Sequence, residues 1–258
     1  MTVTLMDSLR NMGVMVELEV RKLRHDRMEL WTRAVQPVLW IAIYGTIMGN
    51  VKGIDTGGIH YTDYITPGVL IQSTTFVSIF YGLTIVWERE SGILKRLLVS
   101  PMSRSATVIG RSMAAGVRAI FQGLIIIPIA LVIGVRFFPN PLYLLAAFVI
   151  IFFAAGGFAA ISIFIASFFK TRERFMGIGQ AITFPLFFTS SALYPISMMP
   201  HVLREIALVN PVSYVVDAVR GLMISGDLSG LPIDILAILV FLVVMFSVAS
   251  VSFKRIIE

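Results

Sequence analysis

The chain has 258 residues, 57% of them hydrophobic and only 14% charged, with a mean hydropathy of +0.88. A soluble domain of this length carries about 25% charged residues and less than half apolar ones, so the composition excludes an ordinary soluble domain and sets much of the chain against lipid. With no cysteine there is no disulfide framework and no Cys-based metal site, and the net charge of +6 is to be read from where the basic residues fall.

In chain order, the first thirty residues lack the apolar run of a secretory signal. Leu5, Leu9, Met12, Val16 and Leu23 recur at helical spacing, with Asp7, Arg10, Arg21 and Arg24 on other faces. The spacing predicts an amphipathic interfacial helix in residues 1–33, the alternative being a disordered basic tail. Six membrane helices follow in residues 34–258, at about Ala34–Met48, Tyr64–Val86, Ile120–Val135, Leu142–Phe169, Phe175–Leu193 and Ile233–Phe253. Spanning takes about 20 apolar residues, so the first and third are short unless they extend into their flanks. Gly156 and Gly157 in the fourth mark a break, a kink or close packing. Gly45 with Gly49, and Gly156 with Ala160, stand at the spacing of close helix contacts. Pro67 lies near the outer end of the second, where it loosens a turn without blocking the span.

The 21 basic residues then sort by side. All but Lys52, Arg136, Arg204 and Arg220 fall in the N-terminal stretch, the loops after spans two and four, and the C-terminal tail. The positive-inside rule puts both termini in the cytoplasm, and no nucleic acid is needed to explain the charge.

Two regions are not accounted for by lipid. In the cytoplasmic segment from Glu88 to Arg104, Ile93, Leu94, Leu97 and Leu98 form one stripe of a short helix that Pro101 stops. Such a helix inserts into a groove of a partner protein or rests on headgroups, and periodicity does not separate the two. The outer segment from Tyr194 to Pro232 is too apolar for a simple loop and is cut by prolines into two short helical pieces, His201–Val209 and Val212–Ile224. Asp217 and Arg220, three apart, share a face and can pair. A re-entrant hairpin or a helix pair lying on the outer surface fits this segment, and bare hydrocarbon does not suit its charges.

These two regions carry a resemblance. Glu88-Arg89-Glu90-Ser91-Gly92 followed by Leu97-Leu98-Val99-Ser100-Pro101 is similar to the most characteristic stretch of ABC-2 type permeases, a family of drug, polysaccharide, nodulation-factor and lipid exporters. Asn210-Pro211-Val212-Ser213-Tyr214, running on to Asp217 and Arg220, resembles the second, with Asp217 where many members carry Glu. The resemblance implies that the segment after span two is a coupling helix docking on a separate ATPase, so that Glu88, Arg89, Glu90, Gly92, Ile93, Leu94, Leu97, Leu98, Pro101 and Arg104 transmit its motion. It also implies two copies of this chain (or a related permease) paired with two ATPases that bind ATP and Mg. It further implies export from the cytoplasm, across the inner or plasma membrane of a prokaryote, of an amphiphilic or hydrophobic cargo such as a drug, lipid or glycan.

The chain itself has no ATPase site, because none of Lys22, Lys52, Lys95, Lys170 or Lys254 follows a glycine as a phosphate-binding loop requires. No catalytic or metal site is expected, since His25, His60 and His201 lie far apart. Gln72, Ser73, Thr75 and Phe76 in span two, with Phe184, Phe187, Phe188 and Thr189 in span five, are candidate lining for a substrate path; the competing reading is helix glue and lipid-facing aromatics. Asn210, Pro211, Tyr214, Asp217 and Arg220 mark the outer hairpin. Two rival functions stay open on residues alone. An ion-driven secondary transporter would need ionisable groups within the spans, and a passive scaffold would need none of the Glu88–Arg104 pattern.

Overall fold

A computed structural model describes residues 27–51, 56–91, 104–169 and 171–254, with isolated helical positions at Gly13, Val14, Glu17, Val20, Arg21 and His25. The stripe Leu5, Leu9, Met12, Val16 and Leu23, and the docking residues Gly92, Ile93, Leu94, Leu97, Leu98 and Pro101, lie outside the described residues.

Among the described residues every regular element is helical. Helix α1 (Arg27–Leu39) runs directly into a π-helical segment (Trp40–Gly45) and a last α turn (Thr46–Gly49). Then come α2 (Tyr61–Glu90), α3 (Arg104–Ile133), α4 (Pro141–Phe168) and α5 (Arg172–Phe188). A 3-10 turn (Ile196–Met198) leads to α6 (His201–Val209) and α7 (Pro211–Arg220), which continues as a π segment (Gly221–Ser225). Helix α8 (Leu231–Ser252) ends the bundle.

The helix starts follow from local chemistry. Asn140 and Asn210 each cap a helix by accepting a backbone N–H two residues on, at 3.0 and 2.9 Å, and each is followed by proline at the first helical position. That position has no N–H bond to lose. Gly226 closes the π segment after α7 in the left-handed region, φ 71°, which suits a residue without a Cβ.

Four helices are long and apolar enough to cross a membrane: α2, the part of α3 from Thr107, α4 and α8. The pair α6–α7, bent by 79°, would make a fifth if it is one broken span. α2 is the internal helix, with 67% of its apolar window buried against 17% for α8. It packs on α3, α4, α5 and α7, while α4 closes the other side against α3 and α8. One apolar core, built around Ile65, Leu70, Phe158, Val215 and Phe241, fills the bundle towards the α6–α7 end. A second, around Ile85, Val108, Ile163, Phe175 and Phe253, fills the opposite end.

Three expectations are sharpened. Gly156 and Gly157 do not break α4; a Cβ on Gly157 would stand 2.5 Å from the Phe241 ring, so Gly157 serves close approach, whereas one on Gly156 would be in ordinary contact at 3.6 Å. The third segment, expected to begin at Ile120, begins at Arg104. Arg111 and Arg118, assigned to a loop by charge, therefore lie inside α3. They stand seven residues apart, two turns, and so share one helix face. The fifth segment, expected to reach Leu193, stops as a helix at Phe188, where Thr189 and Ser190 turn their hydroxyls back onto Pro185 and Phe187 carbonyls.

Candidate functional site

The end of α2 from which the predicted docking segment departs is fixed by two ion pairs. Glu88 takes a hydrogen bond from Arg111 of α3 at 2.6 Å, with the two side chains only 16% and 9% exposed. Glu90 takes one from Arg172, the first residue of α5, also at 2.6 Å, with 33% and 43% exposed. Ser91 closes the helix through its hydroxyl on the Trp87 carbonyl, 2.9 Å away. Arg104 opens α3. The Glu-Arg-Glu run thus splits its two carboxylates between two neighbouring helices. Arg111 was not predicted as a partner, although its spacing from Arg104 and Arg118 was the available signal.

Further along α2, the structure divides the proposed substrate path in two. Gln72, Ser73 and Thr75 are buried inside the chain. Ser73 accepts a bond from the Gln122 amide of α3 at 2.9 Å, which ties α2 to α3. The aromatic members gather instead. Phe76 stacks on Phe80, 5.8 Å between centroids, and meets Phe184 edge-on at 5.5 Å. Phe184 and Phe188 stack at 6.3 Å and remain 41% and 43% exposed. Phe187 turns inward onto Trp40, the first residue of the π segment after α1, at 6.0 Å. α2 and α5 therefore share an aromatic outer face with a polar seam behind it. Thr189 is linked to the outer hairpin rather than to this face, accepting from Asn210 at 3.0 Å.

The outer hairpin is held by Asn210 and Arg220. Besides its cap, Asn210 donates to the Leu186 carbonyl at 2.6 Å, tying the start of α7 to α5. Tyr214 donates to the Leu208 carbonyl across the α6–α7 bend at 2.6 Å. Arg220, 8% exposed, distributes its guanidinium over three elements. It pairs with Asp217 at 2.6 Å and donates to the Ser191 carbonyl at 2.6 Å and the Tyr64 carbonyl at 3.2 Å. Its charge also lies 3.8 Å from the Tyr64 ring centre. Asp217 in turn accepts from the Ser191 hydroxyl at 2.8 Å. The pairing expected from the three-residue spacing is formed; the long-range partners Tyr64 and Ser191 were not legible in it. Beyond the hairpin, Asp227 accepts the Ser229 backbone N–H, which holds its carboxyl below the usual carboxylate range. Among the described residues no cluster of His, Cys, Asp or Glu is arranged to hold a metal.

The chain matches the ABC-2 type transporter family over residues 10–224. It is 25% identical to the putative transport permease ycf38 of Cyanophora paradoxa, over 97% of this chain and 90% of that protein. It is similar to the probable doxorubicin resistance ABC transporter permease protein DrrC of Mycobacterium tuberculosis, 25% identical over 74% of this chain and 69% of the relative. It is likewise similar to nodulation protein J of Rhizobium leguminosarum bv. viciae, 22% identical over 85% and 84%. With a match covering most of its length and several apolar helices crossing one bundle, the chain belongs to the ABC-2 type transporter family, as a multi-pass membrane permease component of an ABC transporter.

Proposed function

We propose that this permease is one membrane half of an ATP-driven exporter, working as a pair of copies with a separate ATPase pair that binds ATP and Mg, and moving an amphiphilic or hydrophobic cargo out of the cytoplasm. The observation that carries the reading is the double tie at the end of α2. A segment docked on an ATPase leaves the bundle at Ser91, one residue beyond Glu90. A push delivered there reaches α3 through Glu88–Arg111 and α5 through Glu90–Arg172. Three helices then move as a unit instead of one helix fraying. The relative named as a doxorubicin resistance permease supports an outward direction of transport.

In this reading the bundle has six spans, the helix from Arg27 to Gly49 and α5 supplying the two that are not counted by length and apolarity. Both termini face the cytoplasm of a prokaryotic cell. The α6–α7 pair is a re-entrant hairpin of the outer leaflet, since Val212, Val215, Val216 and Val219 of α7 are buried in the bundle while Val202 and Val209 of α6 stay 70% and 83% exposed. The aromatic face of Phe76, Phe184 and Phe188 lines the cargo route, with Gln72, Ser73 and Thr75 reached only when α2 and α3 part. A second copy packs along Trp31, Val35, Leu39, Ile43 and Ile47, an exposed row at every fourth residue.

The test is co-purification with a nucleotide-binding ATPase expressed from the same genome. Wild-type chain is expected to bring the ATPase down in stoichiometric amount and Leu97→Asp to lose it while still inserting. Unchanged recovery of the ATPase with Leu97→Asp would remove the docking role.

A further inference from the structure

Between α1, α2, α3 and α5 lies a cavity of about 320 Å³ that the transport reading does not use. Three arginines from three different helices line it: Arg33 of α1, Arg118 of α3 and Arg172 of α5. Its floor is one face of α2, where Phe80, Leu83 and Trp87 recur at three- and four-residue spacing. Arg118 is held with its charge 5.4 Å from the Tyr81 ring centre, and Arg172 is shared with Glu90. Trp87 is 46% exposed, so the cavity opens to the surroundings of the bundle.

Its depth identifies those surroundings. The 30 residues of α2 rise about 45 Å, against a hydrocarbon thickness of about 30 Å. Measured from Tyr61 at the other end, Tyr81 to Trp87 fall roughly 30 to 39 Å along the axis. With the hydrocarbon starting near Tyr61, the cavity sits at the opposite headgroup layer. A Trp and a Tyr at that level are the ordinary interfacial anchors; three convergent guanidiniums beside them are not. Planar guanidinium forks match the oxygens of a phosphate, and the apolar floor matches the first carbons of an acyl chain.

We propose that this cavity is a binding site for an anionic phospholipid, its phosphate held by Arg33, Arg118 and Arg172 and its chains passing along Phe80 and Leu83. The lipid belongs to the arginine-rich leaflet, and its binding requires neither an ATPase nor a cargo. A lipid there bridges α1, α3 and α5.

Trp87 reports on the site directly. In a Trp31→Phe/Trp40→Phe background it is the remaining tryptophan of the three. The chain in mixed micelles is titrated with brominated phosphatidylglycerol or brominated phosphatidylcholine, and Trp87 quenching is read. Quenching is expected at severalfold lower phosphatidylglycerol. That preference should fall about fivefold for each guanidinium removed in Arg33→Gln and Arg118→Gln, the effect of roughly 1 kcal/mol per interfacial cation. Native mass spectrometry of the chain with its tryptophans intact reads the same comparison as retained lipid, and covers a background that fails to fold. Equal quenching by the two lipids overturns the proposal. So does an anionic preference that survives Arg33→Gln/Arg118→Gln, which would assign it to general surface charge. Relief of quenching by millimolar inorganic phosphate, and not by sulfate at equal ionic strength, would give the site to a soluble phosphate and also overturn it.

Discussion

The two carboxylates of Glu88-Arg89-Glu90 look equivalent in the sequence, and the structure makes them unequal. Glu88 and Arg111 are 16% and 9% exposed, so their pair has lost most of its water, whereas Glu90 and Arg172 keep 33% and 43%. Removing one member of a desolvated pair strands the other charge at a cost of about 3–5 kcal/mol; an exposed pair contributes about 0.2–1 kcal/mol. Glu88→Gln should therefore destabilise the chain by about 3 kcal/mol and Glu90→Gln by less than about 1 kcal/mol. The gap is a factor of about 30 in the ratio of folded to unfolded chain. Glu88→Leu with Arg111→Met removes both charges and leaves the apolar neighbours Val108 and Ile85 to pack on them, so most of the single-variant loss should return. The assay is equilibrium unfolding in mixed detergent micelles for wild type, Glu88→Gln and Glu90→Gln, and for Glu88→Leu, Arg111→Met and their double, which close a double-mutant cycle with wild type. Equal losses from Glu88→Gln and Glu90→Gln, or a double variant as unstable as the sum of its singles, would refute the inference from burial to energy.

Arg220→Met should cost about 2–3 kcal/mol, because it removes the bonds of one buried guanidinium to Asp217 and to the Ser191 and Tyr64 carbonyls together; Asp217→Asn leaves the guanidinium those two carbonyls and the Tyr64 ring and should cost less in the same unfolding assay. Gly82→Ala places a methyl against the Ser162 hydroxyl and its backbone carbonyl. That displaces Ser162 from the Ile79 carbonyl it donates to at 2.5 Å, so the melting midpoint should drop by several degrees while Gly177→Ala, with open space around it, leaves it unchanged. Single cysteines test the six-span topology in a chain that has none of its own. An impermeant maleimide added to intact cells should label Asn50→Cys, Ser197→Cys and Ser229→Cys, and should reach His25→Cys, Ser91→Cys and Thr171→Cys only after permeabilisation. Labelling of Thr171→Cys and Ser197→Cys from one side would remove α5 from the spans.

The legible parts of this protein are those set by local rules. The four longest helices were readable to within a few residues at most ends because lipid demands long uncharged runs, and the two short outer helices because Asn210-Pro211 and Met199-Pro200 punctuate them. Charge counting failed at α3 for a physical reason. It treats an arginine as a loop marker, whereas Arg111 and Arg118 sit on a helix whose charges are met by Glu88 and by the Tyr81 ring. Ionic and ring partners let a helix carry cations deeper than hydropathy allows. The same gap hid the partners of Arg220, since Tyr64 and Ser191 are 156 and 29 residues away and no periodicity connects them. It also hid the division of span two. Gln72, Ser73, Thr75 and Phe76 are nearly contiguous, so a linear reading gives them one role, but Thr75 and Phe76 point about 100° apart, and Gln72 and Ser73, a turn away from Phe76, are buried among neighbouring helices. Ser73 turns to Gln122 of α3 while Phe76 turns to Phe184 of α5. Where sequence reasoning places a transport path in adjacent residues of one helix, the helical turn itself argues that only some of them can face it.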